Sequence, residues 1–474
     1  MLVRAFALLA AMVFVAQPVA AQSVLRDAET EKLLQDMVDP LAEAAGLGRG
    51  AVDVVLLNDP SINAFVAGGQ RIYVHSGLIN EADTANEVQG VLAHELGHIT
   101  GGHVVRFGEG AGKATKITLL SMLAGVAAAL AGAGDAAMGA MALGQQAAMG
   151  SFLSFSRTQE ASADAASVQF LKCAGISGQG AVAFFRKLQN LEQRYGYKQT
   201  EEAGFTRTHP LTGDRMARLE ADLKDDPAWD RPDADLVAEI GDGSQPDTVD
   251  GCSPAPIATA DIEQRFERVK AKLYGYLAEP ARTLQAYPDY MTSPAARYAR
   301  AYAYHKQAKV DDALAETEAL IASEPDNPYF LELEGQVLLE SGRPEEAIEP
   351  LRSAVELTGN DPLIASTFGH ALLATEDSSH LAEAEQVLRA AVGRDRENPF
   401  AWYQLGVVYG ARGDIPRAQL ASAEQQVMSG NAREALHNAR AAEAALPQGT
   451  PDWIRAQDVA MQARALVERE DEKN

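Results

Sequence analysis

Residues 84–100 read TANEVQGVLAHELGHIT, and the rest of the fold is built around this stretch. Thr84 followed by Glu87 has the S/T-x-x-E form of a capping box, which starts a helix by satisfying its free amide groups. Val88, Val91, Leu92 and Ile99 recur at helical spacing, so one face of this helix is apolar. His94 and His98 stand four residues apart and project from one face, where two imidazoles can share one Zn2+. Glu95 beside them can take a proton from a metal-bound water. Such a site needs a third protein ligand and an open position for water.

Two sources of that ligand are open. The elongated H-E-x-x-H-x-x-G-x-x-H pattern is matched at Gly101, but its last position is Val104 and His103 falls one residue short, which disfavours it. Downstream, Glu160-Ala161-Ser162-Ala163-Asp164 puts two carboxylates four apart on one helix face. Glu160 there is a candidate ligand, and Asp164 a candidate partner for the free ring nitrogen of a ligating histidine. The alternative is an exposed acidic pair on a surface helix. Upstream, Gln70 to His75 follows a Gly-Gly turn and is β-branched and aromatic, which predicts a strand.

Residues 117–155 are rich in Ala, Gly, Met and Leu with Asp135 as their one charge, and read as buried helices packed through small residues. A membrane-dipping or substrate-covering segment is the alternative for 117–149. Residues 221–260 are Pro-rich and acidic, a linker composition, and a connecting helix extends that region to 289. Beyond it Pro294, Pro328 and Pro362 recur every 34 residues and Pro399 follows after 37, the surplus falling at Glu376 to Ser379. A 34-residue period with Gly335, Gly369 and Gly406 at matching places predicts tetratricopeptide repeats over 290–474, each proline ending the unit before it.

The chain has 474 residues, a net charge of −25 and 47% apolar residues. That composition excludes global disorder, and the acidity argues against a nucleic-acid binder. Residues 301–474 hold 15 basic and 30 acidic groups, whereas residues 1–220 hold 17 and 21, so the motif-bearing part is close to neutral. Met1 to Ala21 combine Arg4, an apolar run and small residues before Gln22, the layout of a cleavable secretory signal. The expected location is the periplasm, with membrane association left open. Cys173 and Cys252 are the two cysteines, and in an oxidising compartment they either pair or remain unrelated thiols.

Together with Asn63-Ala64-Phe65, Gly69 to Val74, and Thr208-His209-Pro210 followed by Arg215, these motifs make residues 25–220 resemble the BepA/HtpX-type HExxH zinc metallopeptidases. The resemblance implies a mainly α fold: a gluzincin-type helical domain with a small β-sheet over 22–220, then an α-solenoid of repeats. It implies one Zn2+ per chain on His94, His98 and Glu160, Glu95 as catalytic base, and Asp164 behind a ligand. By the same resemblance Arg71, Ile72, Tyr73 and Val74 pair with an extended substrate, and His209 approaches the zinc as a switch. Arg215 then contacts substrate or the tetrahedral intermediate. His75 and His103 are left as structural or surface residues. The implied function is an exported endopeptidase acting on unfolded or misassembled envelope proteins, its repeats recruiting clients or outer-membrane assembly machinery. The competing reading is a repeat-based chaperone or scaffold with a latent protease site.

Overall fold

The structure, a computed structural model, describes residues 24–103, 112, 113, 115–124, 134–195, 205, 208–229 and 261–472. The leader, residues 125–133, linker residues 230–260 and Cys252 lie outside them. Cys173 is buried and disulfide-bonded. Two compact units divide the chain: residues 34–260 with the N-terminus up to Leu25, and residues 261–474 with Arg26–Leu33.

The first unit carries a four-stranded sheet ordered β1-β2-β4-β3, from β1 (Val24–Leu25), β2 (Asp53–Leu57), β3 (Ala64–Ala67) and β4 (Arg71–His75). β4 pairs in parallel with β2, Val54 opposite Ile72, and antiparallel with β3, Phe65 opposite Tyr73. Both sides of β4 are therefore taken. The expected pairing of Arg71–Val74 with substrate is corrected by this topology, because an interior strand has no free backbone groups to offer. Among the described residues the edge strands are β1 and β3, and β3 is the edge that contacts the motif-bearing helix.

Helix α1 (Ala28–Ala44) and the short α2 (Ser76–Glu81) lead to α3 (Ala85–Thr100), which carries the motif. Thr84 Oγ1 accepts from the Glu87 amide at 3.2 Å, and Glu87 Oε2 accepts from the Asp83 amide at 2.8 Å, so the predicted box closes one residue early. From Glu87 to His98 every side chain of α3 is buried. Two glycines let other helices reach its backbone. A Cβ on Gly97 would lie 2.6 Å from Ala163 O in α4 (Gly134–Ala174), and one on Gly90 would lie 2.5 Å from Ala181 Cα in α5 (Gln179–Tyr195). Helix α6 (Gly213–Lys224) packs on α4 and α5.

The apolar stretch before Glu160 is not buried as expected. Leu120 is 66% exposed, Met138 70% and Leu143 68%. The helical segment 115–124 meets α4 through small residues, a Cβ on Gly144 falling on Ser121, so the larger side chains turn outward. Among the described residues no helix is long and apolar enough to cross a membrane.

The second unit is a series of helix pairs. Pro294, Pro328, Pro362 and Pro399 each sit in the first turn of a helix, after the side-chain caps Ser293, Asn327, Asp361 and Asn398. Proline thus opens each pair rather than ending the previous one, since the first helical turn has no use for its missing amide. The surplus residues form a 3-10 turn, Ser378–His380. Helix Ile262–Leu277, expected as a connector, packs against Pro294–Lys306 within this unit. Residues 26–33 join it through charge: Lys272 Nζ lies 2.5 Å from Asp27 Oδ1 and 3.3 Å from Glu29 Oε2, while Tyr298 donates to Glu29 at 2.8 Å. Lys272, Glu29 and Tyr298 are all buried.

Candidate metal centre

Three local pieces of chain supply the site: the end of α3, the middle of α4, and residues 205–215 leading into α6. The backbone contact at Gly97 and Ala163 sets α3 and α4 close enough for His94 and His98 to meet Glu160. His94 Nε2 is 3.2 Å from His98 Nε2 and 3.4 Å from Glu160 Oε2, and His98 Nε2 is 3.4 Å from Glu160 Oε1. His209 completes the group, its Nδ1 lying 3.1 Å from Glu160 Oε1 and 3.4 Å from His94 Nε2. All four residues are buried.

The donor set fits zinc. Three imidazole nitrogens and a carboxylate oxygen are its ordinary ligands, at about 2.0–2.1 Å for nitrogen, and a tetrahedron of that radius has edges of about 3.3–3.4 Å. The observed spacings of 3.1–3.4 Å lie at or slightly below that edge length.

A second layer holds the donors in place. His94 Nδ1 lies 3.0 Å from Asp164 Oδ1. Arg215 donates from Nε to Asp164 Oδ2 at 2.7 Å, from Nη2 to Asp164 Oδ1 at 2.8 Å and from Nη1 to Pro210 O at 2.7 Å, and Nη1 lies 3.0 Å from Glu160 Oε2. All three nitrogens of Arg215 meet protein acceptors, and the guanidinium orients the two carboxylates.

Burial disfavours charge on each group, and neighbours decide the outcome. For Glu160, hydrogen bonds with His209 and His94 overcome burial and hold the carboxyl well below the usual range. Asp164 is brought down to about 2 against burial by Arg215 and His94. Burial would lower His94, yet Asp164 and Glu160 raise it to about 10, whereas burial with His94 and His209 pushes His98 down to about 2. A cation at the centre would displace the proton on His94 Nε2 and leave the one that Nδ1 shares with Asp164, since imidazole must be neutral to ligate.

Glu95 stands apart from the donor set. Both its oxygens are buried without a hydrogen-bond partner, and burial raises its carboxyl. His209 Nε2 lies 3.5 Å from Glu95 Oε1, so the ring of His209 bridges the donors and this carboxylate. Phe205 stacks on that ring at 4.6 Å and on Phe185 at 5.6 Å.

A cleft of about 320 Å³ opens on Glu95, His98 and His209, with Phe65 and Val66 of β3 on its wall. The His75 amide donates to Asn63 O at 3.0 Å, which makes Asn63 and His75 a hydrogen-bonded pair. Antiparallel pairs alternate, so Phe65 and Ala67 bond to β4 while the amides and carbonyls of Ala64 and Val66 point away from it, Ala64 fully buried and Val66 partly exposed. The sequence reading missed this strand because four residues, AFVA, carry too little pattern. It also left His103 aside, although that ring is buried against His98.

Residues 28–223 match Peptidase family M48, and residues 298–362 match the tetratricopeptide repeat. The beta-barrel assembly-enhancing protease of Escherichia coli (strain K12) is 25% identical over 416 residues, which cover 87% of this chain and 79% of that protein. Its counterpart of the same name in Yersinia pestis is 24% identical over 465 residues, 96% of this chain and 88% of that one. Metalloprotease LoiP of Escherichia coli (strain K12) is 33% identical over 161 residues, 33% of this chain and 57% of its own.

Proposed function

The chain is a zinc metallopeptidase with a peptidase family M48 domain ahead of tetratricopeptide repeats, and we propose that it is an exported endopeptidase kept latent by His209. The observation that carries this reading is the closed set of four donors, with His209 in the place a catalytic site leaves to water and against the buried Glu95 carboxyl, which has no hydrogen bond.

His94, His98 and Glu160 would hold the zinc, with Asp164 and Arg215 fixing His94 and Glu160. The bound ion supplies Lewis-acid polarisation of the scissile carbonyl and lowers the pKa of water to about 7. Movement of His209 out of the cleft frees Glu95. An extended substrate adds to the edge of β3 through the backbone of Val66, which lays its peptide bond along the cleft. Glu95, its carboxyl raised by burial, takes the proton of the attacking water and returns it to the leaving nitrogen.

For clients, the relatives named as β-barrel assembly-enhancing proteases support unfolded or misassembled outer-membrane proteins, and the acidic repeats support recruitment of clients or assembly partners. The apolar side chains exposed on 115–124 and 138–153 support peripheral contact with a membrane surface. The leader supports export to the periplasm. The closed donor set equally favours a second reading, in which the repeats act as a chaperone and proteolysis is rarely engaged.

Casein cleavage and zinc content of the full chain, Glu95→Gln and His209→Ala test the proposal. His209→Ala cleaves faster than the parent and Glu95→Gln is inactive, each with its zinc retained. An inactive His209→Ala chain with normal zinc refutes the latch. If Glu95→Gln still restores the phenotype of a gene deletion, the chaperone reading stands instead.

A further inference from the structure

His103 follows the motif helix across a two-glycine turn. Gly101 caps α3, and Gly102 takes a φ of +62°, a left-handed conformation that glycine adopts without strain. The chain then doubles back and lays the buried His103 ring against the helix end. A Cβ on Gly101 would fall 2.3 Å from His103 Nε2, so a bare backbone at that position makes room for the ring. His103 Nδ1 lies 2.8 Å from His98 Nδ1, and its Nε2 lies 2.9 Å from Ser162 Oγ.

Counting protons orders this chain of contacts. The Ser162 hydroxyl donates its one proton to Gln159 O at 3.0 Å, so towards His103 the oxygen accepts. His103 Nε2 is therefore the donor. A neutral imidazole has a single N–H, which leaves His103 Nδ1 as an acceptor. The hydrogen between the two rings then belongs to His98 Nδ1, and the lone pair of His98 Nε2 points to His94, Glu160 and His209. His94 reaches the same state by a different route, through Asp164.

We propose that His103 is a positioning residue for the metal centre, fixing the ring plane and the tautomer of His98 through its Nδ1 and anchored in turn by Ser162. This rests on the reading that His98 ligates the metal. A ligating histidine whose other nitrogen loses its partner binds metal more weakly, by about 10–100-fold in affinity. Leucine at 103 removes the acceptor while keeping apolar bulk. Asparagine restores an acceptor near the place of Nδ1.

The test measures zinc affinity by chelator competition, and the visible spectrum of the cobalt-substituted protein, for the full chain and for His98→Ala, His103→Leu, His103→Asn and Gly101→Ala. His103→Leu is expected to lose about 10–100-fold in affinity and to shift the cobalt bands, with His103→Asn recovering most of both. Gly101→Ala, which displaces the ring but keeps the imidazole, should reproduce the loss and carries the test if His103→Leu does not fold. Unchanged affinity and cobalt spectrum in His103→Leu and Gly101→Ala, with tight binding abolished in His98→Ala, overturn the proposal. Unchanged affinity in His98→Ala itself overturns the ligand reading on which it depends.

Discussion

Replacing Lys272 by methionine should destabilise the repeat unit about as much as a large cavity in its apolar core. The ammonium is buried between Asp27 at 2.5 Å and Glu29 at 3.3 Å. Burial works against its charge, yet the Asp27 carboxylate raises it well above the ordinary lysine value. Methionine fills the volume but leaves two carboxylates without a counter-charge. Breaking a buried pair from one side costs about 3–5 kcal/mol. For a unit of about 150–250 residues each kcal/mol is worth about 2–4 °C, so the midpoint should fall by about 6–20 °C. Calorimetry with tryptophan fluorescence follows this unit through Trp402 and Trp453, while Trp229 reports on the other unit. Adding Asp27→Asn and Glu29→Gln should recover much of the loss, since a neutral cluster carries no unpaired charge. A Lys272→Met midpoint within about 2 °C of the parent would show that the cluster adds nothing net, and refute the argument.

Gly97→Ala should separate α3 from α4, because its Cβ would press on Ala163 O at 2.6 Å; the expected cost is about 1–3 kcal/mol in urea melts, with zinc content reduced. Asp164→Asn should lose about 10–100-fold in zinc affinity. With its carboxyl lowered to about 2 by Arg215 and His94 against burial, Asp164 adds about 2 kcal/mol above pH ~4, lost as pH falls through about 2. Melts from pH 2 to 6 should show a shallower acid limb in Asp164→Asn than in the parent, the remainder coming from Glu160 and Asp27. Val66→Pro removes an amide that faces the open edge of β3 and no bond to β4, so peptide cleavage should fall while the melting temperature holds. Equal loss of both would place Val66 in the ladder and remove the edge as a substrate site.

Much of the protease unit is legible in local spacing. Two histidines four apart, and two acids four apart, share faces on any helix, so both clusters could be read without knowing how the helices meet. The prolines at 34-residue intervals expose the repeats in the same way, because each repeat folds from its own neighbours. What failed was what depends on distant partners. The apolar stretch before Glu160 has core composition, yet its glycines and alanines take the helix contact and leave the leucines and methionines outside. The contacts of Arg215 with Asp164, Glu160 and Pro210 O are likewise invisible until the helices meet.

The division follows the range of the forces involved. Helix periodicity, capping and metal-ligand spacing are set within a few residues, and the chain declares them in one dimension. Strand order is a choice among partners far apart in sequence: β4 has the composition of a substrate strand, and only the arrival of β2 and β3 on its two sides makes it interior and leaves an edge at Val66. His103 and Arg26–Leu33 are of the same kind. A left-handed glycine turns one back onto His98, and a buried lysine 243 residues beyond Glu29 draws the other into the repeat unit.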